Sequence, residues 1–349
     1  MMFNFKNDFN AICHKDIMDA IFQNRNELCV GYGLDEHSSN AMNLIKEAID
    51  CSDAEIHFMV GGTSTNKTLI SHILRPYEAV ISCDSGHINV HETGAIEATG
   101  HKVLTVVADN GKLTVDKLKE IVSSHKDEHM VKPKMVYISN ATELGTVYYY
   151  DDLKELYDFC RNNELYLFID GARLGVALTS FLNDVKLSDL PKLCDAFYIG
   201  GTKNGAMLGE ALVIVNDDLK KDFRYSIKQN GGMYAKGFVI GIQFETLFTN
   251  NLYFDIARKM NDCASLLRMG LTDMEVQFAY QTFTNQLFPI FSKEIVEKLN
   301  EVAEIEIWEE RGEDIVIRLV TSFFTDEEMI GEFLEQLSLI LFNEGDFNE

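Results

Sequence analysis

Basic residues are scarce in this chain: 31 lysines and arginines stand against 55 acids, a net charge of −24 over 349 residues. Such a surface repels phosphate backbones and anionic lipids, which argues against binding nucleic acid or membranes by bulk electrostatics. Long apolar runs are also missing. No stretch of roughly 18 or more uncharged apolar residues occurs, so no membrane-spanning helix is expected. The first fifteen residues hold no basic segment followed by an apolar stretch, so no secretory signal is expected. Seven cysteines (13, 29, 51, 83, 160, 194 and 263) are scattered, odd in number and never spaced CxxC. Free thiols in a reducing cytoplasm account for them better than a disulfide framework or a zinc site, and we expect no metal. Walker and GxGxxG patterns, internal repeats and low-complexity segments are absent as well.

What is present is the composition of an ordinary globular protein: 46% hydrophobic, 25% charged and 11% aromatic residues. The length suits one large domain with a smaller satellite. Short apolar runs read as strands at Glu55–Val60, Ala79–Cys83, Lys102–Val107, Lys134–Ser139, Leu165–Asp170, Asp195–Gly200 and Glu210–Val215. Helical patterns fall between several of them, at Lys67–Leu74, Thr114–His125 and Asp151–Asn163. Strands alternating with helices predict an α/β domain with a mostly parallel sheet. From about Tyr234 the pattern changes. Two long helices, Tyr234–Asn250 and Phe254–Met269, are followed by Phe283–Ile290, a helix Ser292–Val302, strands near Glu304–Trp308 and Ile315–Thr321, and a helix from Thr325. That order predicts a smaller α+β domain, with a polar tail, Asn343–Glu349, that frays.

Three short segments carry chemistry. Gly61-Gly62-Thr63-Ser64-Thr65-Asn66 lies between a strand and a helix, where backbone N–H groups form an anion cradle; a capped glycine turn is the bland alternative. Phe168-Ile169-Asp170-Gly171-Ala172-Arg173 ends a buried strand with an acid at the edge where ligands of open sheets collect. There Asp170 can partner a cationic ring nitrogen or simply form an ion pair or turn. In Ile199-Gly200-Gly201-Thr202-Lys203, a lysine follows an apolar strand and two glycines. Burial lowers the pKa of such an amine and suits it to Schiff-base chemistry, whereas a surface lysine would be the plain reading. Together an amine, a carboxylate and a phosphate cradle make up the protein's share of a pyridoxal-phosphate site.

With these motifs the chain resembles the L-threonine aldolase and β-eliminating lyase family of fold-type-I pyridoxal-phosphate enzymes. The likeness runs from Phe5-Lys6-Asn7-Asp8 to Ile317-Arg318-Leu319-Val320-Thr321. It includes Tyr32-Gly33-Leu34-Asp35, Asp84-Ser85-Gly86-His87, Asp170-Gly171-Ala172-Arg173, Thr202-Lys203 and Gly231-Gly232-Met233. The resemblance implies that Lys203 bonds the aldehyde of pyridoxal 5'-phosphate, with Thr202 beside it. Asp170 would bind the ring nitrogen, His87 would stack on the ring, and Gly62 and Thr63 would hold the phosphate. Arg173 and Arg318 would grip the substrate carboxylate, with Asn7 where the family usually has serine. Tyr32 would reach a neighbouring subunit's site in a homodimer or homotetramer. The implied division is an interface segment 1–36, a cofactor domain 37–245 and a small domain 246–349.

Three positions depart from the family pattern. Thr142 stands where a histidine contacts the substrate's β-hydroxyl, and threonine is a poor base near neutral pH. Glu143, His87 or a water is left to act there. Tyr234 replaces an arginine that faces the phosphate, with Lys228 or Arg224 as candidate substitutes, and Ser322 replaces a histidine. The expected reaction is cleavage of L-threonine or L-allo-threonine to glycine and an aldehyde. The alternatives are β-elimination from another amino acid or a catalytically silent oligomer.

Overall fold

In the computed structural model, residues 2–342 are described; the tail Asn343–Glu349 lies outside them. A seven-stranded sheet forms the centre, built from Glu55–Met59 (β1), Glu78–Cys83 (β2), Lys102–Val106 (β3), Lys132–Ser139 (β4), Tyr166–Asp170 (β5), Ala196–Gly200 (β6) and Glu210–Ile214 (β7). Its order is β1-β7-β6-β5-β4-β2-β3. Only β7 runs against its neighbours. All seven strands were legible as apolar runs, to within one or two residues. The mostly parallel α/β expectation holds.

Every residue of β2, β6 and β7 is buried, as expected of strands covered by helices on both faces. Alternate residues feed two separate cores. Ile81, Val136, Ile169 and Phe197 face one side, and Val80, Tyr137, Phe168 and Tyr198 face the other. The covering helices are amphipathic: Leu153, Leu156 and Cys160 bury one face of Tyr150–Asn162. Asp35 starts the helix Glu36–Ala48 by accepting the Ser38 N–H at 2.8 Å. That helix lies so close to Phe238–Phe248 that a Cβ on Gly241 would meet the Ser38 Oγ at 2.5 Å.

A third core holds the C-terminal part. There Ile290–Ser292 and Glu306–Arg311 flank Asp314–Val320 in an antiparallel sheet, covered by the helices Lys293–Val302 and Glu327–Phe342. The helix Leu252–Asp273 serves both bodies. Tyr253, Ile256 and Met260 enter the large core, and Cys263, Leu267 and Leu271 the small one. Phe3–Asn4 pairs in parallel with Ala303–Glu304, and Phe3 and Phe5 pack against Phe333. The first residues therefore lie with the C-terminal body, and a boundary at residue 246 falls inside the helix Phe238–Phe248. Among the described residues no helix is long and apolar enough to cross a membrane.

Candidate active site

Three parallel strands end side by side. Ser139, closing β4, is the register partner of Asp170, closing β5, and β6 ends at Gly200. Because β7 runs backwards it begins where its neighbours finish. Glu210 therefore pairs with Gly200 on one side and with Met59, the end of β1, on the other. Ligands of open α/β sheets collect at this edge because the loops diverge there. The loops cross closely at Gly171, where a Cβ would sit 1.8 Å from the Tyr198 carbonyl oxygen.

A cleft of about 320 Å³ opens at this edge. Gly62 and Thr63 line it from the start of the helix Gly62–Ile73, whose first N–H groups have no side-chain cap. A Cβ on Gly62 would lie 2.8 Å from the Tyr198 hydroxyl, so only glycine brings the helix end this close. Asp170 lies opposite, buried, with both oxygens occupied. Tyr198 and the Ala172 N–H donate to Oδ1, and Tyr137 and Asn66 donate to Oδ2. Burial and the Asp170 charge hold both tyrosines well above their usual pKa, so they stay donors. The Asn66 amide also donates to Glu92 at 2.8 Å, and the same Glu92 oxygen lies 2.8 Å from His87 Nδ1. One chain of hydrogen bonds thus fixes the acid and the imidazole together.

Lys203, partly buried on the cleft wall, has its pKa lowered by burial and by the charge of Arg173. Thr202 holds the loop by accepting the Gly209 N–H at 3.1 Å. Arg173 also lines the cleft, but its Nε and Nη2 donate to Asp8 at 2.7 and 3.0 Å. Asp8 is buried. Although burial works the other way, Arg173, Lys203 and Asn285 together keep its carboxyl below the usual range. Arg318 does not line the cleft, but it is near enough to Arg173 to feel its charge. Its Nη2 donates to Glu306, its guanidinium lies 5.3 Å from the Trp308 ring centroid, and its Nε has no partner. Burial and Arg173 lower its pKa.

The sequence profile of the β-eliminating lyase family matches residues 16–294. The chain belongs to the β-eliminating lyase family. A low-specificity L-threonine aldolase of a Pseudomonas species is 32% identical over 272 residues, 77% of this chain and 78% of that one. A Leishmania major threonine aldolase structure superposes with a TM-score of 0.96 at 43% identity, over 97% of this chain and 99% of that one. An aspartate aminotransferase from Thermus thermophilus, 14% identical, shares the fold with a TM-score of 0.73 over 97% and 91%. The fold is accordingly that of the fold-type-I pyridoxal-phosphate enzymes.

Like the rest of its family, the chain works with pyridoxal phosphate, and its cleft fits that group. A lysine with a depressed pKa, a carboxylate held by four donors and an uncapped helix end surround one space. Of the residues expected from sequence, the structure brings Gly62, Thr63, His87, Asp170, Arg173, Thr202 and Lys203 together. Others do not border this cleft. Asn7 turns its side chain to the Phe9 N–H at 3.1 Å. The Thr142 hydroxyl is 2.7 Å from that of Thr146, within its own turn, and the next residue, Glu143, lines the wall. Tyr32 and Lys228 lie with each other, the ammonium 5.0 Å from the ring centroid, beside a second small pocket that includes Arg224 and Tyr234. Phe9 and Glu210 line the cleft and were not expected.

Glu210 titrates in a useful range. Burial raises its carboxyl from an ordinary 4.5 to about 7, although it accepts the Gly201 N–H at 2.8 Å. Between those values the folded chain keeps a proton that the unfolded chain has lost. Stability attributable to this group is therefore full below pH 4.5 and falls as the pH rises to 7, by up to roughly 3 kcal/mol. Melting curves of cofactor-free Glu210→Gln should show a shallower decline between pH 5 and pH 7 than wild type. An unchanged slope would mean that Glu210 stays ionised.

Proposed function

We propose that this chain cleaves L-threonine and L-allo-threonine to glycine and acetaldehyde. The observation that carries the reading is the meeting of Lys203, Asp170, Arg173 and the Gly62–Thr63 helix end in one cleft, in a chain 43% identical to a threonine aldolase over nearly its whole length. The cofactor supplies an aldehyde that bonds amines and a ring that accepts electrons from a bond breaking at Cα.

The protein's residues do the rest. Lys203, with its amine pKa lowered, would hold the cofactor through its aldehyde. Asp170 would face the ring nitrogen and keep it protonated. The tyrosines and Asn66 satisfy its oxygens and fix its direction. Gly62 and Thr63 take the phosphate at the helix N-terminus, where unpaired N–H groups and the helix dipole favour an anion. His87, braced by Glu92, would lie against the ring. Arg173 and Arg318 together attract the substrate carboxylate. Three cations meet in this corner, where burial and the Arg173 charge lower the pKa of both Lys203 and Arg318 although Asp8, Asp170, Glu210 and Glu306 act the other way, so a further anion is welcome. Fixing the carboxylate orients the Cα–Cβ bond relative to the ring, and orientation is a large part of such catalysis.

Purified, cofactor-saturated protein should release equimolar glycine and acetaldehyde from both threonine isomers. Ammonia and a keto acid in their place would move the chain to the β-elimination side of the family, and no product at all would sink both readings.

The same reading includes an oligomer in the cytoplasm. Phe22, Leu28, Val30, Tyr32 and Leu34 are all exposed, Leu28 to 99%. A run of exposed apolar residues over an N-terminal segment is the mark of a surface that a second copy covers. It supports residues 1–36 as the interface segment, with Tyr32 and Lys228 serving a neighbouring chain's cleft. The reading keeps 37–245 for the cofactor and 246–349 for the small domain, although Leu247 and Phe323 pack into the large core.

A further inference from the structure

Thr142, at the position where the family's histidine meets the β-hydroxyl, points into its own turn. Its hydroxyl meets Thr146 Oγ1 at 2.7 Å and accepts the Thr146 N–H at 3.2 Å. The next residue does the opposite. Glu143 is 7% exposed and stands on the cleft wall with His87, Asp170 and Lys203. Its two oxygens are treated differently. Oε1 accepts the Ser139 hydroxyl at 2.6 Å and the His87 N–H at 3.0 Å. Oε2 is buried and has no partner. No lysine or arginine among the described residues forms an ion pair with it.

A clamp on the His87 backbone needs only one acceptor oxygen, which an amide would provide without a charge to bury. A carboxyl with its second oxygen unpaired beside a ligand cleft is costly as architecture and apt for moving a proton. Burial, with Asp170 adding to it, raises its pKa above the ordinary glutamate range. The groups around it are Asp170, Tyr137, Tyr148, Cys83 and His87, of which only His87 is a cation when protonated.

We propose that Glu143 is the catalytic base for the β-hydroxyl, doing the work of the histidine this chain lacks; this rests on the aldolase reading. The hydroxyl proton passes to the Glu143 carboxylate. The O–H electron pair becomes the second bond of the aldehyde carbonyl as the Cα–Cβ bond breaks. The electrons of that bond stay with Cα, which takes up one proton to give glycine. No proton is gained or lost overall.

The test is Glu143→Gln in the cofactor-loaded protein, a change that keeps an acceptor oxygen for Ser139 and His87. Cleavage of L-threonine should fall by about a hundredfold or more. Two readouts that need no β-hydroxyl proton should stay within about threefold of wild type: cofactor affinity by fluorescence quenching, and exchange of the glycine Cα–H in heavy water followed by NMR. The acidic limb of the wild-type kcat/KM profile, along which the base becomes protonated, should vanish from the residual activity. Glu143→Asp should restore part of the rate. Cleavage by Glu143→Gln within about threefold of wild type would overturn the proposal. So would a parallel loss of cofactor binding and glycine exchange, which would make Glu143 structural. A wild type that exchanges glycine yet cleaves no β-hydroxy amino acid would remove the aldolase reading, and this proposal with it.

Discussion

Lys203→Ala is expected to lower threonine cleavage by at least on the order of a thousandfold while leaving the fold intact. The side chain follows β6 in a loop that is tight for reasons independent of the amine. A Cβ on Gly201 would meet the Gly209 carbonyl oxygen at 2.6 Å, and Asn204 donates to the Tyr253 carbonyl at 2.8 Å. Removing the amine therefore costs chemistry more than structure. Burial and Arg173 lower its pKa, so the uncharged, nucleophilic amine is more populated near neutrality than an ordinary lysine's would be. Lys203→Arg keeps a cation in place but offers no amine, and should be as inactive as alanine. Borohydride treatment of wild type should attach the reduced cofactor to the peptide carrying Lys203, detected by mass. Attachment elsewhere, or an active alanine variant, would sink the assignment.

Why Lys203 and Asp170 were legible, and others were not, has a physical basis. Both stand where an apolar run stops, and in a parallel sheet that place is also the ligand edge, so a local pattern reports a tertiary position. Asp8 offers no such signal. Its partner Arg173 is 165 residues away, and only the folded N-terminal segment brings them together. Asn66, Tyr137 and Tyr198 belong to ordinary helix and strand patterns. What makes them matter is that three separate elements aim at one carboxylate. Glu210 shows the limit of reading strands without their direction. An acid opening a strand is unremarkable, until that strand is the single antiparallel one and its start lies among the others' ends.

Element edges failed for related reasons. The helix after β1 was expected from Lys67 but begins at Gly62, because Thr65, Asn66 and Thr68 are polar yet fully buried and hide the apolar periodicity. At Thr142 the sequence left the side-chain direction open. The family pattern identified the segment, but the turn from Thr142 to Thr146, with a 2.9 Å bond from the Thr142 N–H to the Thr146 carbonyl, decides which neighbour faces the cleft.

Arg318→Ala should lower kcat/KM for L-threonine by about a thousandfold, mostly through KM. The arginine sits at the middle of Asp314–Val320, a strand whose Ile315, Val316, Ile317, Leu319 and Val320 are buried. A charge in that setting is tolerated only with partners, and those on hand are incomplete: Glu306 takes Nη2, Trp308 lies against the guanidinium, and Nε has none. Arg173 has two of its five N–H donors committed to Asp8, so on the proposed reading Arg318 would share the carboxylate binding with it. The Glu306 side chain is 35% exposed and can rehydrate when its partner is removed, which limits the damage to folding. Arg318→Lys should recover little, because a point charge supplies neither the planar fork nor the stacking face. Threonine amide separates this role from a general loss of structure. Wild type should strongly prefer the carboxylate, and Arg318→Ala should treat acid and amide nearly alike. If the variant kept the wild-type preference for the acid, carboxylate binding would have to be reassigned to Arg173 alone, and Asp8→Asn, which frees that guanidinium, would become the informative change.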